Sequence, residues 1–270
     1  MVSKVGFIGL YRDLQLTLVE NILKGEFPLT VYDASEEPRE KAARLGAQVA
    51  SSPKKVAEQA DIISVSLRDQ LETEEALLGP DGALSGAQPG SVIVIHTTVE
   101  PDFAVRMGEI AKQQNVGVLD VAYSGGVEMA RTSSMLYAVG GEKEHFDRCH
   151  PVFATSASTI AHVGPLGSGM AVRIVDHVVV ALNRLAVEEG MRLAEAMGLD
   201  TQQVAQAMLG GEAQSEILER YTKEPWAGAG GGVPPRLLSM ALKLAYDRGV
   251  SLPGLALHQQ VYVVPMQSKQ

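Results

Sequence analysis

The chain has 270 residues, of which 46% are hydrophobic and 20% charged, and its 23 Lys and Arg against 32 Asp and Glu give a net charge of −9. This apolar fraction excludes a disordered chain, no apolar run reaches the length of about 18 residues that spans a membrane, and the negative charge argues against a nucleic-acid partner. The single cysteine, Cys149, cannot form an internal disulfide, and the chain begins with a strand-like run rather than a signal peptide. We therefore expect a soluble cytoplasmic protein of one large or two modest domains.

The first half of the chain alternates short β-branched runs with helical stretches. The predicted strands are residues 4–10, 29–32, 48–50, 62–67, 91–95, 116–120 and 136–139. The predicted helices between them are residues 15–24, 38–45, 54–59, 72–78, 102–113 and 144–152. This alternation predicts an α/β fold with a largely parallel sheet that is covered on both faces.

The second half is predicted to be helical throughout. Residues 168–197 contain no proline and carry Val, Ile, Leu and Ala on almost all sides, which is typical of one long helix buried on most of its faces. Shorter helices are predicted at residues 201–208, 212–221, 235–248 and 255–263. We therefore predict two domains, residues 1–164 and residues 165–270, joined by the long helix.

A glycine turn follows the first predicted strand, where a parallel α/β fold binds a dinucleotide. A G-x-G-x-x-G fingerprint would start at Gly9, but its second and third glycines are replaced by Tyr11 and Leu14. Those glycines let the backbone approach the pyrophosphate and let the helix pack on the strand. Asp33 ends the next strand, at the place of the acid that binds the ribose hydroxyls. Taken alone, the segment fits a degenerate dinucleotide site or an ordinary turn with a surface aspartate.

Further motifs occur in order along the chain. They are Asp61-Ile-Ile-Ser-Val-Ser-Leu67, Thr97-Thr98-Val-Glu-Pro101, Asp120-Val-Ala-Tyr-Ser124-Gly125-Gly126, Gly140-Gly141 and Gly164-Pro-Leu-Gly167-Ser-Gly169. With the opening Gly6-Phe-Ile-Gly9-Leu10, they resemble the β-hydroxyacid dehydrogenase family, which includes 3-hydroxyisobutyrate dehydrogenase, tartronate semialdehyde reductase and proteins like 6-phosphogluconate dehydrogenase. The resemblance runs over essentially the whole chain. It implies a Rossmann-like N-terminal domain, an interdomain helix and an all-helical C-terminal domain.

The resemblance also implies an oxidoreductase that uses NAD or NADP on a small anionic substrate, namely a carboxylated hydroxy acid, semialdehyde or imine. The implied cofactor residues are Gly9, Leu10, Tyr11, Asp33, Leu67, Thr98 and Arg236, and the implied substrate residues are Ser124, Gly125, Gly126 and Arg173. Asp33 followed by Ala34 rather than arginine favours NAD. A homodimer or higher homo-oligomer, paired through the helical domain, is implied as well. No residues show metal-ligand spacing, so no metal is expected.

The departures from the family fall on its functional positions. The family's catalytic lysine is Arg173 here, its asparagine is Asp176, and His177 follows. The pKa of an arginine side chain is above about 12, so Arg173 stays protonated at working pH and suits carboxylate binding rather than proton transfer. Asp176 and His177 lie one helical turn from Arg173, and with Ser124 and Tyr123 of the substrate loop they complete the candidate catalytic residues. The proton is expected to come from His177 or Tyr123.

Two other hypotheses remain open. A family member that has lost hydride chemistry would bind no dinucleotide, because Tyr11 and Leu14 replace fingerprint glycines. It would use Arg173, Asp176, His177 and Tyr123 for isomerase, decarboxylase or lyase chemistry. The other hypothesis is a non-catalytic binding protein that retains the dimer. His96 is interpreted as a residue packed at a strand end rather than a catalytic one.

Overall fold

The structure is a computed structural model and describes residues 2–225 and 233–263. The chain divides into two units, Met1–Arg173 and Ile174–Gln270, which are described separately below. The division predicted between residues 164 and 165 stays a prediction.

One eight-stranded sheet forms the centre of the first unit. Its strands are β1 (Val5–Ile8), β2 (Leu29–Tyr32), β3 (Gln48–Val49), β4 (Ile62–Val65), β5 (Val92–Ile95), β6 (Gly117–Ser124), β7 (Met135–Gly141) and β8 (Ala157–Gly164). Their order is β3-β2-β1-β4-β5-β6-β7-β8. The strands from β3 to β6 pair in parallel, whereas β7 is antiparallel to β6. The predicted α/β fold with a largely parallel sheet is confirmed, and its first six strands have the order of a doubly wound dinucleotide-binding domain.

Seven α-helices lie between these strands in the described part of the first unit. They are α1 (Asp13–Lys24), α2 (Glu36–Leu45), α3 (Pro53–Ala57), α4 (Gln70–Leu78), α5 (Pro101–Lys112), α6 (Val127–Arg131) and α7 (Lys143–Phe153). Successive side chains of a strand point to opposite faces. Accordingly, Phe7 of β1 lies in one hydrophobic cluster and Ile8 in another. The two clusters explain why these strands are continuous apolar runs, because both faces of the sheet are buried.

Two of these elements, α6 and β8, were not predicted from the sequence. Strand β8 is the last strand of the sheet and pairs only with β7 among the described strands. Most of its side chains are exposed, so it lacks the apolar run that identified the other strands. Helix α6 has only five residues and offers no helical period to detect.

The rest of the described chain is helical. It forms α8 (Ser168–Ala196), α9 (Thr201–Met208), α10 (Glu216–Lys223), α11 (Pro235–Asp247) and α12 (Pro253–His258), followed by a π-helical turn (Gln259–Val263). The prediction of one long helix is confirmed, but the expectation that most of its faces are buried is wrong for the single chain, because apolar side chains such as Val175 (62%) and Leu193 (63%) are exposed. The prediction that α10 begins at residue 212 is wrong, because the Ser215 hydroxyl accepts the Leu218 N–H and starts the helix at Glu216. None of the described helices has both the length and the apolar character needed to cross a bilayer.

Two apolar clusters hold the second unit together. In one, Ile174 and Ala181 of α8 pack with residues of α11 and α12, such as Leu238. In the other, Val187 and Met191 of α8 pack with residues of α9 and α10. Helix α8 therefore supplies the apolar surface on which the shorter helices are stacked.

Asp120 of β6 fixes the start of α8. Its carboxylate is fully buried, and its two oxygens accept the N–H groups of Gly167 at 2.7 Å and Met170 at 2.6 Å. A carboxylate at a helix N-terminus also interacts favourably with the helix dipole. Burial raises the pKa of Asp120, and the backbone donors lower it. A Cβ added at Gly169 would lie 2.4 Å from the Asp120 carbonyl oxygen, so only glycine allows this close approach.

We expect Asp120→Asn to lower the free energy of unfolding by about 2–3 kcal/mol, because one amide oxygen must replace two acceptors and an NH₂ group enters a buried site. Chemical denaturation followed by circular dichroism measures this change. The control is Asp61→Asn, since among the described residues the Asp61 side chain accepts one exposed N–H, that of Lys4, and its replacement should cost less than about 1 kcal/mol. Equal losses at the two positions would contradict the anchoring role of Asp120.

Candidate dinucleotide and substrate site

A cleft of about 940 Å³ opens at the carboxyl edge of the sheet in the first unit. It lies beside the ends of β1, β2 and β4, where the chain order of the sheet changes direction. Open α/β sheets bind ligands at this switch point. The volume is near the upper end of ligand pockets, which hold roughly 300–1,000 Å³. Four of the predicted cofactor residues line it, namely Gly9, Tyr11, Asp33 and Leu67.

Gly9 lets the loop after β1 approach the loop after β4. Its φ is +96°, a conformation that other residues rarely adopt. A Cβ at this position would lie 2.1 Å from the Ser66 carbonyl oxygen. The first glycine of the fingerprint is therefore required by backbone geometry, whatever the ligand.

Asp33 is buried and ties the loop after β1 to the end of β2. Its Oδ2 accepts the Leu10 N–H at 2.6 Å, and its Oδ1 accepts the Ser35 N–H at 2.8 Å. Each carboxylate oxygen has a second lone pair that a ligand hydroxyl could use. The Leu10 side chain is buried in the core, so this residue takes part through its backbone.

Tyr11 and Leu14 stand where the fingerprint has glycines. Tyr11 lines the cleft and is partly exposed, and the Arg12 guanidinium lies 5.1 Å from the centre of its ring. Leu14 packs against the hydrophobic cluster of the first unit. The cleft therefore persists in the presence of both side chains.

The ends of β4 and β5 are joined by a side-chain hydrogen bond. The Leu67 N–H donates to the Thr97 hydroxyl at 2.8 Å, and the partly exposed Thr98 follows it. Arg68 lines the cleft and pairs with Glu72 of α4. These contacts hold the loop after β4 in place beside the cleft.

The predicted substrate loop follows β6. Ser124 ends this strand with an exposed side chain. Gly125 has a φ of +123°, and Gly126 precedes α6. The assignment of Ser124, Gly125 and Gly126 to the substrate stays a prediction.

Tyr123 lies at the centre of a polar and aromatic group in the first unit. The Arg173 guanidinium carbon is 6.0 Å from the centre of its ring, and the His96 ring is 6.2 Å away. Burial raises the pKa of Tyr123, and a hydrogen bond with Ser66 and the charge of Arg173 lower it. Arg173 is thus placed beside a phenol by the anchored start of α8.

His96 is buried behind Tyr123. Its Nε2 lies 3.3 Å from the Ser64 hydroxyl, and its ring is stacked against Phe7 at 6.4 Å. Burial lowers the pKa of His96 to about 4, so the ring is neutral at neutral pH. The packing interpretation of His96 agrees with these surroundings.

Asp176 and His177 belong to the second unit, and Arg173 is the last residue of the first. His177 is buried, and its Nδ1 lies 3.5 Å from Asp176 Oδ2. Arg236 is at the start of α11 and is exposed. The catalytic role of Asp176 and His177 and the cofactor role of Arg236 stay predictions.

Gln15 and Ser66 were not predicted from the sequence. They form a buried hydrogen-bonded pair near Gly9 of the cleft. The Gln15 Nε2 donates to the Ser66 hydroxyl at 3.1 Å, and each residue is 1% exposed. Serine within the apolar run 62–67 was a detectable signal, because buried hydroxyls need partners. The described residues include no group of three His, Cys, Asp or Glu side chains that could hold a metal ion.

Comparisons with known proteins match this architecture over nearly the whole chain. A family profile described as the NAD binding domain of 6-phosphogluconate dehydrogenase matches residues 4–164. Another, described as NAD-binding of NADP-dependent 3-hydroxyisobutyrate dehydrogenase, matches residues 167–230.

Individual relatives match over nearly the whole chain, and a solved structure shows the same fold. An uncharacterized oxidoreductase of Bacillus subtilis is 30% identical, over 97% of this chain and 92% of its own length. Human mitochondrial 3-hydroxyisobutyrate dehydrogenase is 28% identical, over 92% of this chain and 76% of its own. The structure of Mycobacterium tuberculosis 3-hydroxyisobutyrate dehydrogenase with L-serine has a TM-score of 0.87 at 22% identity, covering 97% of this chain and 93% of that chain. The chain therefore belongs to the β-hydroxyacid dehydrogenase family, the NAD(P)-binding oxidoreductases of the 6-phosphogluconate and 3-hydroxyisobutyrate dehydrogenase type.

Proposed function

We propose that the protein is an NAD-dependent dehydrogenase or reductase of a small carboxylated hydroxy acid, semialdehyde or imine. The observation that carries the proposal is the cleft at the switch point of the sheet, which remains open beside Gly9 and Asp33 although Tyr11 replaces a fingerprint glycine. The relatives named 3-hydroxyisobutyrate dehydrogenase support a carboxylated hydroxy acid as substrate.

The residues of the cleft fit a dinucleotide. Gly9 allows the close backbone approach on which the loop depends, and Asp33 has lone pairs for the ribose hydroxyls. The negative Asp33 and the absence of arginine at Ala34 favour NAD, because the 2′-phosphate of NADP would meet a carboxylate. When bound, the nicotinamide would supply or accept the hydride, and Leu67 and Thr98 are the proposed contacts on that side.

Arg173 is proposed to bind the carboxylate of the substrate. A guanidinium forms two parallel hydrogen bonds to a carboxylate and keeps its charge at all working pH values. The loop of Ser124, Gly125 and Gly126 would bind the same substrate through its hydroxyl and backbone N–H groups. Arg173 cannot also transfer the proton, which leaves Tyr123 and His177 as candidates.

The helical part of the chain is proposed to pair with a second copy. Exposed apolar side chains recur along α8 at intervals of three and four residues, with Val175 62%, Val179 52% and Leu182 37% exposed, and Leu193 63% exposed further along. This spacing places them on one stripe of the helix, and such a stripe is typical of a helix–helix interface.

NADH should bind more tightly than NADPH, and Asp33→Asn should reduce that preference by about tenfold through loss of a charge-assisted hydrogen bond. Isothermal titration calorimetry measures both dissociation constants, with Asp61→Asn as the control for a distant aspartate. If neither dinucleotide, oxidised or reduced, binds at millimolar concentration, the proposal is wrong. Binding gained only by a Tyr11→Gly, Leu14→Gly double variant would instead favour the non-redox alternative.

Arg173→Ala should raise the KM for carboxylated substrates by roughly 10- to 100-fold, since a hydrogen bond to a charged group is lost. Arg173→Lys should recover part of this loss, because the charge is kept without the bidentate geometry. Steady-state kinetics provide the measurement, with Arg44→Ala on α2 as the control. An unchanged KM in Arg173→Ala would refute the carboxylate-binding role.

Val179→Glu should convert the oligomer to monomers, because a buried interface cannot accommodate an unpaired charge without a penalty of several kcal/mol. Size-exclusion chromatography with light scattering measures the mass in solution. Leu45→Glu is the matched control, since Leu45 is an exposed apolar residue (42%) on α2. A monomeric wild-type protein, or an oligomer that survives Val179→Glu, would contradict pairing through this stripe.

A further inference from the structure

The proposed reaction requires a group that gives a proton to the substrate as the hydride arrives. Arg173 cannot be that group, because its guanidinium does not lose a proton in proteins. Tyr123 carries a dissociable proton and lies beside Arg173. We propose that Tyr123 donates the proton to the carbonyl oxygen or imine nitrogen of the substrate and that Ser66, held by Gln15, positions its phenol. This inference rests on the oxidoreductase function proposed above.

The direction of the hydrogen bond between Gln15 and Ser66 follows from the chemistry of the two groups. The Gln15 amide nitrogen can only donate, so the Ser66 oxygen accepts at that contact. The Ser66 O–H proton is then left for another acceptor, and Ser66 lowers the pKa of Tyr123, as expected from a hydroxyl donor near the phenol oxygen. In the proposed arrangement, Tyr123 accepts from Ser66 and keeps its own proton for a substrate.

The charges around Tyr123 suit a group that is protonated at rest and forms a phenolate briefly. The ionisable groups that face it are Tyr11, Arg12, His96, Tyr137 and Arg173. Burial has the largest effect and raises the pKa, so the phenol is protonated at neutral pH. Arg173 and Arg12 act in the opposite direction and stabilise the phenolate. His96 is neutral and adds no charge.

Tyr123 also interacts electrostatically with Tyr11, a residue of the proposed cofactor cleft. The charge of an ionised Tyr11 would raise the pKa of Tyr123, and Tyr11 lines that cleft. The Tyr123 side chain is only partly buried, so solvent protons can reach it. Within the first unit, Tyr123 thus lies beside Arg173, the residue proposed to hold the substrate carboxylate.

The proton and electron balance of the reduction is complete with these groups. The substrate carbon accepts a hydride from the reduced dinucleotide, and the electron pair of the double bond moves to the oxygen or nitrogen. The Tyr123 O–H bond breaks as the new O–H or N–H bond forms on the substrate. The phenolate remains next to Ser66 and Arg173 and is then reprotonated from solvent. Oxidation of the alcohol follows the same steps in reverse.

The direct test is Tyr123→Phe, which removes the phenolic proton and leaves the ring. We use NADH with glyoxylate, succinic semialdehyde and, in the oxidative direction, 3-hydroxyisobutyrate. We expect kcat to fall about 10²- to 10⁴-fold, the usual contribution of a general acid, while the dissociation constant of NADH is unchanged. Tyr137→Phe is the matched control, because this buried tyrosine faces Ser156 and is given no role in the reaction.

Ser66→Ala tests the positioning role through the pH profile. Loss of the donor should raise the phenol pKa, so the alkaline fall of kcat for reduction should move to higher pH by roughly one unit, since one hydrogen bond is worth about a tenfold change. Gln15→Met should move the alkaline fall of kcat to higher pH as well. Ser64→Ala is the control, because Ser64 contacts His96 instead.

Each alternative outcome has a distinct meaning. If Tyr123→Phe turns over at the wild-type rate and His177→Gln does not, Tyr123 is not the proton donor and His177 is. A Ser66→Ala profile identical to that of the wild type would overturn the positioning role. A wild-type protein that neither binds NADH nor converts any of the three compounds would overturn the proposed function itself, and the proton donor with it.

Discussion

The buried carboxylate of Asp120 is the interaction on which the placement of the site depends. It accepts N–H groups at the start of α8 while its own backbone is part of β6. The helix start is therefore fixed against the strand that carries Tyr123. Arg173 lies three residues after Met170, the second donor, so the same contact places its guanidinium over the Tyr123 ring. If the junction between β6 and α8 were flexible, the distance between the Arg173 guanidinium and the Tyr123 ring would not be fixed.

The loop after β1 lacks two glycines of the dinucleotide-binding fingerprint, yet the cleft beside it is open. Gly9 is constrained by the Ser66 carbonyl, which tolerates no Cβ, whereas Leu14 meets an apolar cluster that accepts a larger side chain. Asp33 holds the loop through the Leu10 N–H whatever occupies position 11. The loop is thus fixed by one close backbone contact and one buried carboxylate, and Tyr11 is free to line the cleft.

Apolar runs predicted the fold well, whereas side-chain hydrogen bonds between elements distant in sequence were not predicted. Strand β2 and helix α9 were placed at their observed bounds because burial on one or both faces leaves a periodic pattern. Strand β8 was missed because it is exposed and depends on β7 for its hydrogen bonds. The bond between Gln15 and Ser66 joins residues 51 positions apart, so only the tertiary fold reveals it.

With arginine at the position of the family's lysine, anion binding and proton transfer must be carried out by two different residues. A lysine can bind an anion and, when its pKa is lowered by burial, also transfer a proton. Arginine can perform only the first task, so a chain that retains reductase activity needs a second group within reach. Tyr123 is the group proposed for that task, because burial raises its pKa and the charge of Arg173 favours the phenolate. In the proposed mechanism, the arginine that opposes proton transfer becomes the partner of a new acid, since the guanidinium proposed to bind the substrate also faces the phenol.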